Sequence, residues 1–394
     1  MTKSNKNFQT IVKWVYNIVT GLKINKNMVI GVDGNEANVQ NKVGVSVYTL
    51  NLLNYFKKNS DRFTRFKIFL KEKPLPQLPS SSKYFSYEVV PGKFFWSQIF
   101  LPLRLFKKDV DVFFSPAHYG PRLCPMPLVV TIHDLSYIYY PDEFLKKDLY
   151  KLRNWTKYTV LKAKKVIAVS QSTKNDLIKI YKILPQKIKV IYNGFNQYKG
   201  IKASALKEKK LQKPYILYIG TLQPRKNLIN LIQAFYKFNQ IYPQFELIIA
   251  GKKGWLYQKI FEEVENLGIE DKVFFTDYVT DHQLVYLYQN AFCLVMPSFY
   301  EGFGLPVLEA MNFRCPVIAS FSSSLPEVGG DACLYFNPQD VNDLTEKLMK
   351  LKNDILLRKK LIKKGEERIK LFSWDKCGQE TLQILKEAVN DKNY

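Results

Sequence analysis

The sequence predicts an α/β protein of two doubly wound, Rossmann-like domains that face each other across a cleft. Its 394 residues exceed what one hydrophobic core usually organises, so two domains are the default expectation. Apolar segments alternate with amphipathic segments in both halves of the chain, which is typical of parallel sheets flanked by helices. A polar, lysine-rich stretch between the two alternations indicates a linker, which we assign to residues 201–213.

The first predicted domain covers residues 28–200 and begins with a strand at 29–32. Apolar segments predict further strands at 66–70, 87–90, 110–115, 128–132, 166–169 and 189–191. Helical periodicity predicts helices at 47–56, 96–105, 149–163 and 172–180. Serine commonly caps a helix N-terminus, so we expect Ser172 to begin the last of these.

The second predicted domain covers residues 214–372 and repeats the alternation. Strands are predicted at 215–219, 246–250, 273–276, 291–296, 317–320 and 333–336. Helices are predicted at 228–239, 257–267 and 281–290, from Pro306, and at 341–369. A closing helix at 374–389 lies in the C-terminal segment 373–394. Ligands of such sheets bind at the carboxyl ends of the strands, so the interdomain cleft is the expected site.

Composition limits the class of protein. Mean hydropathy is −0.20, and the chain lacks the run of about 18 apolar residues that a membrane-spanning helix needs. The five cysteines show no close metal-type spacing, which favours reduced thiols in a cytoplasmic protein. These features predict a globular protein that either stays in the cytoplasm or contacts the inner face of the cytoplasmic membrane peripherally.

The net charge of +24 is large and admits several partners. An anionic membrane surface, anionic ligands or a lysine-rich composition without functional meaning would each explain it. The lysines are spread along the whole chain and form no recognisable nucleic-acid module, so no nucleic acid is expected. Residues 1–27 have the pattern of a basic amphipathic helix, which either binds a membrane interface or packs on its own domain.

Two carboxylates bracket a glycine turn in the second domain. Glu301 precedes Gly302 and Gly304, and Glu309 follows where a helix would begin, after a buried strand. A strand, a glycine turn and a helix start commonly hold a phosphate, and carboxylates beside it can grip hydroxyl groups. Together they indicate a sugar nucleotide as ligand. The alternative for Glu309 is that it only compensates the helix dipole.

A second strand end in this domain carries two cations. The segment GTLQPRKN runs from Gly220 to Asn227, and it places Arg225 and Lys226 before a helix. Helix N-termini attract anions, and an arginine can bind phosphate bidentately. A diphosphate is the natural ligand of such a turn, and the alternative is a solvated basic turn.

The first domain offers Gly44 after its first strand and His133 at the end of another. Glycine permits a close approach of the backbone to a ligand. A lone histidine is usually structural, but His133 follows a strand that ends at the expected cleft, which favours a catalytic role. His118 follows a neighbouring strand, and we assign it to the acceptor side.

With these motifs in this order, the chain resembles the retaining glycosyltransferases of family 4 (GT4), which have the GT-B fold. The resemblance runs from about Met28 to Val389. It is carried mainly by EGFGLPVLE from Glu301 and by GTLQPRKN from Gly220. Supporting segments are HDL from His133, VSQS at 169–172, YNG at 192–194 and FSW at 372–374.

The resemblance implies roles for the second domain. Arg225 and Lys226 would hold the donor diphosphate and stabilise its charge as it leaves. Glu309 would hold the ribose, and Glu301 would bind hydroxyls of the donor sugar. Further donor contacts are implied at Gly220, at Tyr278 and Val279 near the base, and at the backbone of Phe303, Gly304 and Leu305.

The resemblance also implies roles for the first domain. His133 would contact the donor sugar near the reacting carbon, and Gly44 would lie close to donor and acceptor. Ser46 stands where many relatives carry a second glycine, so this turn departs from the family pattern. The acceptor surface is expected around 94–105, including Trp96, and around 117–122. The closing helix would cross back onto this domain.

The implied activity is transfer of a hexose from a nucleotide-diphosphate sugar to a saccharide or lipid-linked glycan in cell-surface polysaccharide synthesis. Mannose from GDP-mannose is the first expectation, and no metal or cofactor is expected. Asp109 and Asp111 mimic the metal-binding pair of another glycosyltransferase class, but we expect them away from the cleft. The alternatives are a non-catalytic basic binding protein for anionic glycan or nucleic acid, and an epimerase or phosphorylase on a similar fold.

Overall fold

The computed structural model describes residues 27–42, 44–206 and 214–391. The amphipathic helix predicted for residues 1–27 lies outside the described residues except for its last position, and so does most of the predicted linker. Within the described residues, no helix combines the length and the apolar character needed to cross a membrane.

The first domain is built on a seven-stranded parallel sheet with the strand order β3-β2-β1-β4-β5-β6-β7. Its strands are β1 (Met28–Asp33), β2 (Thr64–Leu70), β3 (Phe85–Val89), β4 (Val112–Ser115), β5 (Leu128–Ile132), β6 (Lys165–Ala168) and β7 (Ile188–Val190). Its helices are α1 (Val45–Lys58), α2 (Phe100–Leu105), α3 (Ser136–Tyr139), α4 (Lys146–Lys162) and α5 (Gln171–Tyr181).

The second domain has a six-stranded parallel sheet with the order β10-β9-β8-β11-β12-β13. Its strands are β8 (Tyr215–Ile219), β9 (Glu246–Ala250), β10 (Val273–Phe275), β11 (Cys293–Met296), β12 (Val317–Ser320) and β13 (Cys333–Phe336). Its helices are α6 (Leu228–Ile241), α7 (Gln258–Leu267), α8 (Asp281–Asn290), α9 (Leu305–Asn312), α10 (Leu325–Gly329), α11 (Val341–Asn353) and α12 (Ile355–Arg368).

The closing helix α13 (Trp374–Asn390) returns to the first domain, as the resemblance implies. Its buried face joins the core that α1 forms on one side of the first sheet. The two helices approach so closely at Gly378 that a Cβ there would lie 2.3 Å from the ring of Tyr55. The other side of this sheet is covered by α2, α4 and α5, whose apolar residues form a separate core.

The structure corrects three helix boundaries that were predicted from the sequence. Helix α2 begins at Phe100 rather than Trp96. Helix α5 is capped by Ser170, whose side chain accepts from the Thr173 amide, rather than by Ser172. The single helix predicted at 341–369 is two, because the Asp354 carboxylate accepts the Leu357 amide and begins a new helix there.

Candidate active site

A cavity of about 1390 Å³ lies between the two domains, where carboxyl ends of strands from both sheets meet. It brings together most of the residues that the sequence singled out. The predicted residues that line it are Gly44, His133, Gly220, Arg225, Lys226, Tyr278, Val279, Glu301, Phe303, Gly304, Leu305 and Glu309. Residues from distant parts of the chain therefore form one site.

A buried ion pair lies at the base of the cavity, on the side formed by the second domain. Lys226 Nζ donates to Glu301 Oε1 at 2.6 Å, and Ser298 Oγ donates to the same oxygen at 2.7 Å. Burial works to raise the pKa of Glu301, but the nearby charges of Lys226 and Arg225 outweigh it and lower that pKa. Burial and the neighbouring Arg225 lower the pKa of Lys226. Glu301 is thus a buried, ionised carboxylate that lies beside two cations.

Two glycines shape the loop that follows Glu301. A Cβ on Gly302 would lie 2.2 Å from the carbonyl oxygen of His133 in the other domain, so only glycine permits this approach. Gly304 has φ of 103° and begins α9, a conformation that other residues rarely adopt. The turn therefore places the α9 N-terminus in the cavity wall and sets Glu301 against the first domain.

Glu309 lies in the first turns of α9 and is buried between two tyrosines. Its Oε1 accepts from the Tyr198 hydroxyl at 3.2 Å, and its Oε2 accepts from the Tyr288 hydroxyl at 2.9 Å. Burial raises the pKa of Glu309 to about 7. Glu309 is thus a buried, hydrogen-bonded carboxyl in the cavity wall and differs from an exposed acid that compensates a helix dipole. Sequence reasoning missed both tyrosines, because neither has a motif and they lie in other elements.

Arg225 lies in a short 3₁₀ turn, Pro224–Lys226, that precedes α6. Its backbone amide donates to Glu143 Oε2 of the first domain at 2.9 Å, and its Nη1 donates to the Tyr300 carbonyl at 3.1 Å. The buried Nε has no hydrogen-bond partner within the described chain. Arg225 therefore brings a partly buried guanidinium group to the cavity wall, and one of its nitrogens lacks a hydrogen-bond partner in the described chain.

His133 is neutral at physiological pH in this site. Burial, with a contribution from His118, lowers its pKa to about 4. Its Nε2 lies 2.8 Å from the Pro116 carbonyl oxygen, which can only accept, so Nε2 carries the proton and Nδ1 is left as an acceptor. The ring packs edge-on against Tyr48 at 4.8 Å. His133 can therefore accept a hydroxyl proton in a hydrogen bond but does not carry a positive charge.

The predicted acceptor residues lie elsewhere. Trp96 is buried in the core, and its Nε1 donates to the Val90 carbonyl at 2.6 Å. His118 packs on His133 with ring centroids 5.6 Å apart. Although both belong to the described chain, neither lines the cavity. The sequence placed His118 after a strand and Trp96 at the start of a helix, but could not show which side chains the fold would cover.

The cavity instead continues along α1, which sequence reasoning predicted as a helix without assigning it to the site. Asn51, Asn54 and Lys58 line it together with Val47. Their spacing of three and four residues puts them on one face of the helix. That polar stripe was the signal in the sequence that could have identified this wall.

The acidic pair near β4 has a structural role. Asp109 accepts from Lys67 and from Arg104, and Asp111 Oδ2 accepts from the Val29 amide at 2.8 Å. The Arg104 hydrogen bond and Lys67 lower the pKa of Asp109. Searching the described residues finds no group of three or more histidine, cysteine or acidic side chains that could hold a metal ion.

The two domains contact each other directly around the cavity. Glu327 of the second domain accepts from the amides of Gln171 and Ser172 at 2.6 and 3.2 Å, and so caps α5 from across the cleft. Asp176 accepts from Tyr139 at 2.6 Å and from Tyr300 of the second domain at 2.5 Å. These bonds hold the two walls of the site in register.

Comparisons with known proteins agree with this geometry. Residues 43–197 match a family model described as Glycosyltransferase Family 4, and residues 201–368 match one described as Glycosyl transferases group 1. The chain is 32% identical over 286 residues to O-antigen chain mannosyltransferase B of Escherichia coli, covering 70% of this chain and 74% of that protein.

A second relative and a solved structure extend the comparison. The chain is 35% identical over 212 residues to O-antigen chain mannosyltransferase RfbU of Salmonella typhimurium, covering 54% of this chain and 57% of that protein. The structure of Anabaena HepE in complex with UDP-glucose matches with a TM-score of 0.67 and 19% identity, over 91% of this chain and all of that one. At this identity the structural match shows the GT-B fold.

Proposed function

Because the chain belongs to the family 4, group 1 glycosyltransferases, we propose that it transfers mannose from a nucleotide-diphosphate sugar to a saccharide acceptor. The enzyme class follows from the family. The choice of mannose is supported by two relatives named as O-antigen chain mannosyltransferases. Synthesis of a cell-surface polysaccharide is the matching biological setting.

The single observation that carries the proposal is the ion pair of Lys226 and Glu301 at the base of the cavity. A donor diphosphate would draw Lys226 and the guanidinium of Arg225 to its oxygens. Glu301 would then accept from hydroxyls of the donor sugar. The ion pair thus keeps both groups charged and positioned until a ligand with phosphate and hydroxyl groups replaces it.

The remaining donor contacts follow from the cavity wall. Glu309 would accept from the ribose hydroxyls, in the way that an acid meets ribose in dinucleotide-binding folds. Tyr278 and Val279 lie beside the expected base position, with Lys252 4.8 Å above the Tyr278 ring. Nδ1 of His133 would accept from a hydroxyl of the transferred sugar.

We propose retention of configuration, with the leaving phosphate taking the acceptor proton. His133 is neutral, so it stabilises an oxocarbenium-like state by accepting a hydrogen bond rather than by donating a proton. Two cations and the α9 N-terminus face the charge that develops on the diphosphate. These groups supply the stabilisation that a divalent cation would otherwise give, so we propose turnover without metal or another cofactor.

The test is nucleotide release from GDP-mannose in the presence of a mannoside acceptor, with and without a chelator. Lys226→Ala and Glu301→Gln are each expected to reduce kcat by about 10²–10³, the usual loss when one preorganised charge-stabilising group is removed. Lys347→Ala is the matched control, because it removes an equally short ion pair, 2.6 Å to Asp343, far from the cavity. Undiminished turnover in both site variants would contradict the proposal.

We also propose that the protein binds an anionic membrane surface as a peripheral protein of the cytoplasm. Support comes from the α2 apolar surface, which we define as Phe94, Ile99, Leu103 and Phe106. Their exposed fractions are 77%, 48%, 66% and 53%, and Lys93, Lys107 and Lys108 lie beside them in the chain. Exposed apolar residues with flanking lysines suit the interface of an anionic bilayer.

A further inference from the structure

The cavity is larger than a donor site requires. Small-molecule sites usually enclose about 300–1,000 Å³, and this cavity has about 1390 Å³. The groups expected to hold the donor, from Gly220 to Glu309, account for its second-domain wall. The remaining space lies against the first domain and has no ligand assigned to it.

This additional space follows one face of α1. Its wall runs from Val45, next to the reaction centre at His133, through Asn51 and Asn54 to Lys58. At a rise of 1.5 Å per residue, the stretch from Val45 to Lys58 is about 20 Å long. We call this space the α1 groove. It is long enough for several hexose units in a row.

Opposite α1, the groove is closed by three other segments. Trp374 and Asp375 at the start of α13 form one side, Asn193 to Tyr198 form another, and Lys42 and Gln77 lie at the end nearest the start of α1. Lys42 donates to Gln77 Oε1 at 2.6 Å, so a hydrogen bond joins the two residues at this end of the groove. The groove is thus a continuation of the active-site cavity.

The wall of the α1 groove is rich in carboxamide side chains and carries little net charge. The amide side chains that line the groove are Gln40, Asn51, Asn54, Gln77, Asn193, Asn196 and Gln197. The charged residues along it, Glu36, Lys42, Lys58 and Asp375, comprise two of each sign. A carboxamide both donates and accepts, as a sugar hydroxyl does. The lining therefore matches a neutral polyhydroxylated chain better than an anionic one.

Two polar atoms at the inner end of the groove lack partners. Asn193 Oδ1 and Trp374 Nε1 are buried, and neither forms a hydrogen bond with any described residue. One is an acceptor and the other a donor, and leaving such groups unpaired is costly. A sugar hydroxyl both donates and accepts, so it has the chemistry that either atom lacks a partner for.

From these observations we infer that the α1 groove binds the acceptor as a neutral oligosaccharide of several hexose units, with its growing end at His133. The inference rests on the proposed function, because it assigns the acceptor of the same reaction. It also places the acceptor site along α1 rather than at the predicted segments 94–105 and 117–122. Helices α1 and α2 cover opposite faces of the first sheet, so the groove and the α2 apolar surface are separate features.

Direct binding to the full chain tests the inference without requiring catalysis. Isothermal titration with mannose and with α-linked mannobiose, mannotriose and mannotetraose, with and without GDP, would measure the dependence of Kd on chain length. We expect Kd to fall at least tenfold from mannose to mannotriose. Asn54→Ala should raise Kd for mannotriose about fivefold or more, and Asn54→Trp should raise it further by filling the groove.

Asn154→Ala on α4 is the matched control, since it removes an exposed asparagine of the same domain that does not line the cavity. It should leave the length dependence intact. A Kd that does not depend on chain length, an equal response of Asn54 and Asn154 variants, or no binding of any of the four saccharides would overturn the inference. GDP binding in the same titrations separates these outcomes from failure of the proposed function, which would abolish nucleotide binding itself.

Discussion

At the scale of single residues, Glu309 has a pKa close to the pH of the cell. Burial raises that pKa to about 7, and two tyrosine hydroxyls satisfy the carboxyl while no ribose is bound. An ionised carboxylate accepts from both hydroxyls of a diol, whereas the protonated form has one acceptor fewer. The protonation state of Glu309 should therefore control nucleotide affinity.

We predict that nucleotide binding strengthens as pH rises from 6 to 8, by up to about tenfold, because the ionised fraction of a group with a pKa near 7 increases over this range. Titration of GDP by calorimetry at several pH values measures the effect. Glu309→Gln should bind more weakly and lose this dependence, retaining only the part due to phosphate ionisation near pH 6. An unchanged slope in the Gln variant would refute the role of Glu309.

The Tyr198 hydroxyl binds the Glu309 carboxylate, to which we assign the ribose. Its hydroxyl donates to Glu309 Oε1 at 3.2 Å, so a ribose hydroxyl has to compete with it. Removing a hydrogen bond of this kind changes free energy by about 0.5–1.5 kcal/mol. Because the Tyr198 hydrogen bond also lowers the pKa of Glu309, the comparison is made above about pH 8, where Glu309 is ionised. There we predict that Tyr198→Phe binds GDP about two- to tenfold more tightly, measured by calorimetry. Tyr236→Phe on α6, outside the cavity, should have no effect, and weaker binding by Tyr198→Phe would contradict the prediction.

At the scale of elements, helix α5 is completed by the opposite domain. Ser170 satisfies the Thr173 amide, and the Glu327 carboxylate satisfies the amides of Gln171 and Ser172 from across the cleft. A carboxylate at a helix N-terminus gains both hydrogen bonds and a favourable dipole interaction. Contact between the two domains is thereby coupled to one helix end.

We predict that Glu327→Ala shifts the protein towards an open arrangement of its domains. Its KM for the donor should rise about three- to tenfold, in line with the one to two kcal/mol of a lost cap. Small-angle X-ray scattering should show a larger radius of gyration for this variant. Glu346→Ala, an exposed acid of α11, is the control, and equal scattering of both variants would show that Glu327 does not stabilise closure.

At the scale of the whole molecule, the two faces of the first sheet differ in what they present. One face carries α1 and α13 and borders the cavity, and the other carries the α2 apolar surface. Leu103 lies in α2, Ile99 and Phe106 directly flank that helix, and all three side chains are exposed. A protein bound to a bilayer through α2 would keep α1 on the side of the sheet away from it.

We predict that Leu103→Ser with Phe106→Ser weakens binding to vesicles containing about a third phosphatidylglycerol by roughly tenfold, because about 25 cal/mol is lost per Å² of apolar area no longer buried. Vesicle co-sedimentation measures this, and wild-type binding should fall with added salt. Leu356→Ser is the control, since that side chain is 78% exposed but lies in the second domain. Equal loss in both variants would argue against a specific membrane face.

Much of the architecture could be predicted because it depends on short-range patterns. The alternation of apolar strands with amphipathic helices predicted both parallel sheets. The glycines and charges at strand ends pointed to Glu301, Arg225 and His133, which line the cavity. Boundaries set by capping could not be predicted reliably. Ser170 and Ser172 are both suitable caps, and only the structure shows that Ser170 accepts the Thr173 amide while Glu327 accepts the Gln171 and Ser172 amides.

By itself, the sequence determined the fold class, the family and most of the residues around the cavity, since these depend on periodicity and on motifs that are local in the chain. Only the tertiary structure decided which partners those residues have. Tyr198 and Tyr288 on Glu309, the buried Trp96 and the α1 groove all arise from contacts between segments far apart in sequence. Side chains from separate elements acquire shared burial, and with it shifted pKa values and unpaired polar atoms, only when the domains pack against each other.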